Sequence, residues 1–131
     1  MLALVVVVAA SACGSSGTSS TTTPTVTISD PFSGTVAVGG SDFHTFGASQ
    51  SGQVAVTLNT AGPPATIIMG LAIGTPNGTT CTPLAGASVQ TAAGSSPQLN
   101  GEVSGGTLCV VVYDVGNETA PITYSLTVGH P

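Results

Sequence analysis

Two histidines, five carboxylates and three cysteines carry most of the reactive chemistry in this sequence, and no lysine or arginine accompanies them. The acids are Asp30, Asp42, Glu102, Asp114 and Glu118. His44 belongs to the stretch Gly39-Gly40-Ser41-Asp42-Phe43-His44-Thr45-Phe46, where alternation puts it on the same face as Phe46. It reads as a packed imidazole with one hydrogen bond. His130 is close to the end of the sequence and reads as mobile. A Ser/His/acid hydrolase needs a placed histidine, a nucleophile at a strained turn and donors for an oxyanion. There is no Gly-x-Ser-x-Gly, the serines fall in loops, and the usual cationic stabilisers are missing. The sequence therefore predicts no enzyme, no catalytic residue and no cofactor. Asp114, Asn117 and Glu118 gather oxygen atoms in one segment and are calcium candidates. The plainer reading of Asp114-Val115-Gly116-Asn117-Glu118 is a solvated connection that carries charge. Aromatic platforms for sugars are scarce. There is no Trp, and of Phe32, Phe43, Phe46, Tyr113 and Tyr124, Phe46 and Tyr124 read as buried.

The elements that would position these groups are strands. Gly105-Gly106-Thr107-Leu108-Cys109-Val110-Val111-Val112-Tyr113-Asp114 is apolar on both faces, with Leu108, Val110 and Val112 on one and Cys109, Val111 and Tyr113 on the other. Such a strand is expected to be central. Its expected neighbour is the last strand, Ile122–Val128, where Tyr124, Leu126 and Val128 alternate with hydroxyl residues. Upstream, strands are expected at 25–29, 34–38, 41–48, 53–58 and 66–73, with weaker ones at 88–92 and around Leu99 and Val103. Asp30-Pro31-Phe32-Ser33-Gly34, Asn77-Gly78 and Asn100-Gly101 read as turns, and Gly62-Pro63-Pro64 as a break. Helical periodicity is absent after residue 25. Eight or nine short strands with Gly/Pro/Asn punctuation predict an all-β antiparallel sandwich over residues 26–131.

Charge narrows the function classes. The formal charge is −5, with charged residues at only 4%. Without cationic side chains the chain cannot neutralise phosphates, which argues against nucleic-acid partners. Electrostatic attraction to anionic headgroups is removed for the same reason.

Met1–Ala12, MLALVVVVAASA, would make about 18 Å of helix against a hydrocarbon core of about 30 Å. It is too short to span and fits the apolar region of a secretory signal. The segment resembles a bacterial lipoprotein signal peptide, with Ala10-Ser11-Ala12-Cys13 at the cleavage and lipidation positions. It departs from that pattern in having Ala10 where a large aliphatic residue is usual, and in lacking a positive n-region. The second departure points to a translation start upstream of Met1. An ordinary signal cleaved near Ala12 and a buried N-terminal strand are the alternatives. Residues 13–25 follow as the lipidated Cys and a Ser/Thr-rich tether too polar to bury. The resemblance implies lipidation of Cys13, anchorage at the cell envelope and, with Gly14 rather than Asp after the Cys, the outer membrane where a host has two. Cys81 and Cys109 then remain in an oxidising compartment and pair as a disulfide. Two separate buried thiols, or a metal site, are the other readings.

Within the sandwich, Gly39–Phe46, Gly52-Gln53-Val54-Ala55-Val56-Thr57-Leu58, Gly106–Val112 and Tyr124–Val128 resemble, in order and spacing, the bacterial pre-peptidase C-terminal domain. The resemblance covers about residues 32–129. The acidic residue that often precedes the family's middle Leu-x-Leu segment is missing at Thr66-Ile67-Ile68-Met69-Gly70-Leu71. The resemblance implies a jelly-roll-like sandwich and a non-catalytic binding or structural module at the envelope. Its partner would be an envelope protein or polysaccharide. The alternative is an accessory carbohydrate- or calcium-binding domain of an envelope hydrolase system.

Overall fold

The computed structural model describes residues 27–131. The expected signal segment, Cys13 and the tether lie outside the described residues. Eight strands follow one another: β1 Ile28–Val36, β2 Ser41–Ala48, β3 Gly52–Gly62, β4 Met69–Asn77, β5 Thr80–Thr91, β6 Leu99–Val103, β7 Gly106–Asp114 and β8 Ile122–His130. They form two four-stranded antiparallel sheets, ordered β1-β8-β3-β6 and β2-β7-β4-β5. This alternation of successive strand pairs between two sheets is a jelly roll.

Period-two patterning builds the core. Leu108, Val110 and Val112 of β7 face Tyr124, Leu126 and Val128 of β8 across the sandwich, and all six are buried. Val54, Val56 and Leu58 of β3 and Met69, Leu71 and Ile73 of β4 extend the same layer. β7 is central, as its two apolar faces predict, lying between β2 and β4. It does not pair with β8. The connection from Asp114 to Ile122 crosses to the other sheet, where β8 lies between β1 and β3. Alternation fixes which side chains point inward, and that holds equally for a strand beside β7 or opposite it.

Two expected turns are strand. Asp30-Pro31-Phe32-Ser33-Gly34 runs straight through β1, paired with β8 from Ile28↔His130 to Val36↔Ile122. β1 is an edge strand, where a proline without an N–H is tolerated. Asn100-Gly101 lies inside β6, opposite Ala55 and Val54. A Cβ at Gly101 would come within 3.1 Å of Ile73 Cδ1, so the glycine serves close packing of the two sheets. Asn77-Gly78 does turn the β4–β5 hairpin, with Gly78 at φ 64°.

A jelly roll leaves two open sides. Here β1 and β2 border one, and β5 and β6 border the other. Polar groups gather along both.

Candidate functional site

Along the β1/β2 side, the inward-facing rows carry the histidines. Asp42 and His44 share parity with buried Phe46 on β2, and Asp30, Phe32 and Gly34 share parity with buried Val36 on β1. Tyr124 projects from β8 between them. Its hydroxyl donates to Asp42 Oδ2 at 2.6 Å. His44 Nε2 lies 2.6 Å from the same hydroxyl oxygen. Because the phenolic hydrogen is committed to Asp42, His44 must donate through Nε2. The Phe32 ring stacks on the His44 imidazole, with centroids 4.8 Å apart and planes at 13°. Gly34 leaves the room: a Cβ there would run into Asp42 Oδ2 and lie 2.9 Å from the Tyr124 hydroxyl. Burial, then the hydrogen bond to Asp42 and its charge, push the Tyr124 phenol far above its ordinary range. The hydroxyl is therefore a fixed neutral donor rather than a nucleophile or base.

His130 departs from its expected mobility. It ends β8 opposite Ile28, is buried, and places Nε2 at 2.7 Å from Asp30 Oδ2 and Nδ1 at 3.0 Å from the Pro131 carbonyl oxygen. Phe46 packs against its ring at 5.2 Å. Pairing with β1 supplies the order that nearness to the end of the sequence argues against. His44, by contrast, is the half-buried, hydrogen-bonded imidazole that its shared face with Phe46 predicts.

The calcium candidates occupy the β7–β8 connection. Asp114 Oδ1 accepts the backbone N–H groups of Gly116, Asn117 and Glu118, and Oδ2 accepts that of Gly39 at 2.7 Å. The Gly39 bond leads in holding the Asp114 carboxyl below its usual range, against a smaller opposing effect of burial. This carboxylate spends its lone pairs folding the loop. Glu118 is buried, and neither of its oxygens meets a hydrogen-bond partner. Burial first, and then the charge of Asp114, raise its pKa. Among the described residues no group of three or more His, Cys, Asp or Glu side chains is arranged to hold a metal ion.

Cys81 of β5 and Cys109 of β7 form a disulfide with Cα atoms 6.0 Å apart. It lies on the outer face of its sheet, since Cys109 alternates with the inward Leu108 and Val110. Tyr113 shares that outer face. Its ring lies flat over Gly70 of β4, where any Cβ would overlap the ring. Phe43 stands diagonally across from it, one strand over, and is part-exposed like Tyr113. Phe46 and Tyr124 are buried, as their alternation predicts.

The β5/β6 side opens into a cavity of about 460 Å³, which includes Leu84, Glu102, Val103, Ser104, Thr107 and Leu108 in its walls. Sequence reading missed it. β5 leaves the register of β4 between Ser88, paired with Ala72, and Pro83, paired with Gly74. The intervening residues swing out as one wall. Only Gly86, at φ 74°, hints at this departure in the sequence.

No protein-family model and no curated protein matches this chain.

Proposed function

We propose that the protein is a non-catalytic, lipid-anchored binding or structural module of the cell envelope, similar in design to the pre-peptidase C-terminal domain. The observation that carries this reading is the cysteine pairing. With Cys81 and Cys109 joined, Cys13 is the one cysteine left over. It stands where Ala10-Ser11-Ala12 would direct cleavage and acylation, ahead of a Ser/Thr-rich stretch. A disulfide between strands also fits an exported protein. The non-catalytic part rests on the hydrogen-bond chain from His44 through Tyr124 to Asp42, in which the phenol is committed as a donor to Asp42 and no serine hydroxyl takes part. The partner would be an envelope protein or polysaccharide, and with no cationic side chain nucleic acid is a poor candidate.

A second reading, an accessory carbohydrate-binding domain, draws on Tyr113. A ring laid flat on Gly70, with part-exposed Phe43 one strand over, is the kind of aromatic surface that stacks on sugar rings.

The test is expression from the native start in a bacterial host, comparing wild type with Cys13→Ala. The wild type should partition into detergent, remain with membranes at high salt and carry a diacylglyceryl mass on Cys13; the variant should do none of these. A single acyl chain holds only marginally, so stable retention requires more than one. A wild-type protein that is soluble, unmodified and begins elsewhere would overturn the anchor. Binding of neutral glycans lost in Tyr113→Ala would favour the second reading.

A further inference from the structure

An edge strand presents a row of unpaired N–H and C=O groups, and folds usually guard it with a proline, a bulge, a charge or a short length. Three of the edge strands in this sandwich are guarded in that way. β1 carries Pro31. β5 carries Pro83 and breaks register against β4 between Ala72 and Gly74. β6 is five residues long. β2 has no proline and no bulge: its eight residues keep an unbroken register with β7 from Ser41↔Tyr113 to Ala48↔Gly106. Its one charge, Asp42, is turned into its own sandwich, where it accepts the Tyr124 hydroxyl. Lysine, a common edge guard, is absent from the chain.

The ladder shows which groups of β2 are free. Asp114 donates its N–H to the Gly40 carbonyl oxygen at 3.0 Å, which makes Gly40 and Asp114 a hydrogen-bonded pair. In an antiparallel ladder such pairs alternate with non-hydrogen-bonded ones. Asp42, His44, Phe46 and Ala48 therefore bond to β7, and Ser41, Phe43, Thr45 and Gly47 aim N–H and C=O away from it. Ser49 continues the outward series, and its N–H meets the Pro131 carbonyl oxygen instead of β7. Among the described residues no backbone group outside β7 bonds to the strand from Ser41 to Gly47.

We propose that β2 pairs with β2 of a second copy of this chain, antiparallel about a two-fold axis at His44, and joins two four-stranded sheets into one. That register sets Ser41 opposite Gly47 and Phe43 opposite Thr45 of the other copy, so each of the outward residues exchanges both of its bonds. An axis at Phe43 leaves Gly47 without a partner, and one at Thr45 leaves Ser41 without one. The side chains favour a second copy over a foreign strand. Phe43, part-exposed on the outer face, gains a β-branched neighbour in Thr45, and symmetry makes that favourable pair twice. Each copy carries a formal charge of −5, yet no carboxylates are opposed in the strand. Asp42 lies opposite Phe46 of the other copy, about 13 Å along the strand from that copy's Asp42. That exceeds a screening length of about 8 Å. Self-pairing goes beyond the reading of this chain as an envelope module and does not depend on the lipid anchor.

The test compares wild type, Thr45→Pro and Thr45→Lys as full chains in detergent, by sedimentation equilibrium and amide hydrogen exchange. Thr45 is exposed and its N–H points outward, so proline there removes no bond to β7. Lysine keeps the N–H and sets two cations close together across the axis. The wild type should pass from twice the chain mass to the chain mass on dilution. Where about nine copies in ten are paired, exchange at Ser41, Phe43, Thr45 and Gly47 should be about tenfold slower than in the dilute protein. Asp42, His44 and Phe46, already bonded to β7, should exchange alike in both conditions. Both variants should stay at the chain mass, with the Val110 and Leu126 amides as protected as in the wild type. If Thr45→Pro loses that core protection, Thr45→Lys decides alone. A wild type still single at about 1 mM would overturn the proposal, including one in which an added extended peptide protects the same amides. So would a dimer that survives Thr45→Lys, or one whose slowed amides lie on β5 or β6. Cys13→Ala should leave the pairing unchanged, which keeps this result apart from the anchor's.

Discussion

Replacing Tyr124 by Phe removes one oxygen and leaves the ring. That oxygen is the hub of the β1/β2 side: it donates to Asp42 Oδ2 and accepts from His44 Nε2, each at 2.6 Å. A hydrogen bond to a charged acceptor contributes about 1.5–3 kcal/mol and a neutral one about 0.5–1.5 kcal/mol. Asp42 and His44 side chains retain 34% and 23% exposure, so water can reach both after the hydroxyl is gone. They are also only 3.7 Å apart and can close part of the gap themselves. The expected loss is therefore about 1.5–3 kcal/mol, below the plain sum. Urea denaturation at neutral pH measures it. In an Asp42→Ala background the same substitution should cost at least about 1 kcal/mol less, because the acceptor is already absent. A second readout follows from the raised phenol pKa. In a Tyr113→Phe background Tyr124 is the sole tyrosine, and its phenolate absorbance should not appear in the ordinary tyrosine range near pH 10 while the protein stays folded. A loss under about 0.5 kcal/mol, or a phenol that titrates near pH 10 in the native state, would refute the hub.

Other consequences are equally direct. Val110→Ala and Leu126→Ala, each removing fully buried methyl groups from a facing sheet, should each cost about 2–4 kcal/mol in denaturant melts. Glu118→Gln should stabilise the protein at neutral pH by about 1 kcal/mol, at the low end of the cost of an unpartnered buried polar group because the amide that replaces the charge is also buried. The sign follows from the raised pKa: the folded state holds the Glu118 proton more tightly, so its contribution is full below the ordinary glutamate pKa and is lost as pH rises through the raised value. That slope should vanish in the variant. Replacing Cys81 and Cys109 together by Ala should cost about 3.5 kcal/mol on the chain-entropy account of a loop this size, and non-reducing peptide mapping should recover the linked pair.

Local patterns in this sequence are legible to the extent that they depend on side-chain alternation. β2 spans Ser41–Ala48, as its residues predict, and the inward row of β7 is Leu108, Val110 and Val112. Strand partners are not legible this way: alternation is satisfied equally by β8 beside β7 and by its actual place opposite. Turn chemistry misleads where tertiary context overrides it. Pro31 sits harmlessly on an edge strand, and Gly101 is small because Ile73 and Ala87 press on it. The Cys81–Cys109 disulfide is legible only through the resemblance that sets Cys13 aside for lipidation and leaves these two to pair. The His44 environment was half visible, in its shared face with Phe46. Alternation also places Asp42 beside His44 on the same face of β2, but Tyr124 comes from the other sheet, which alternation cannot bring near. The β5/β6 cavity depends on a break in register that no composition signals.

The pairing of the first described strand with the last has a mechanical consequence. Ile28 at the start of β1 is bonded opposite His130 at the end of β8, so both ends of the sandwich emerge at one corner. A pull between those ends would load the β1–β8 ladder one rung at a time, like a zipper, and yield at low force. A pull between the start of β1 and β5, on the opposite side, would instead cross the width of the sandwich. It would be shared by many rungs at once and, on the β2-β7-β4-β5 sheet, by the covalent bridge between β5 and β7. The same domain is thus weak when pulled through its two ends and stronger when loaded from side to side.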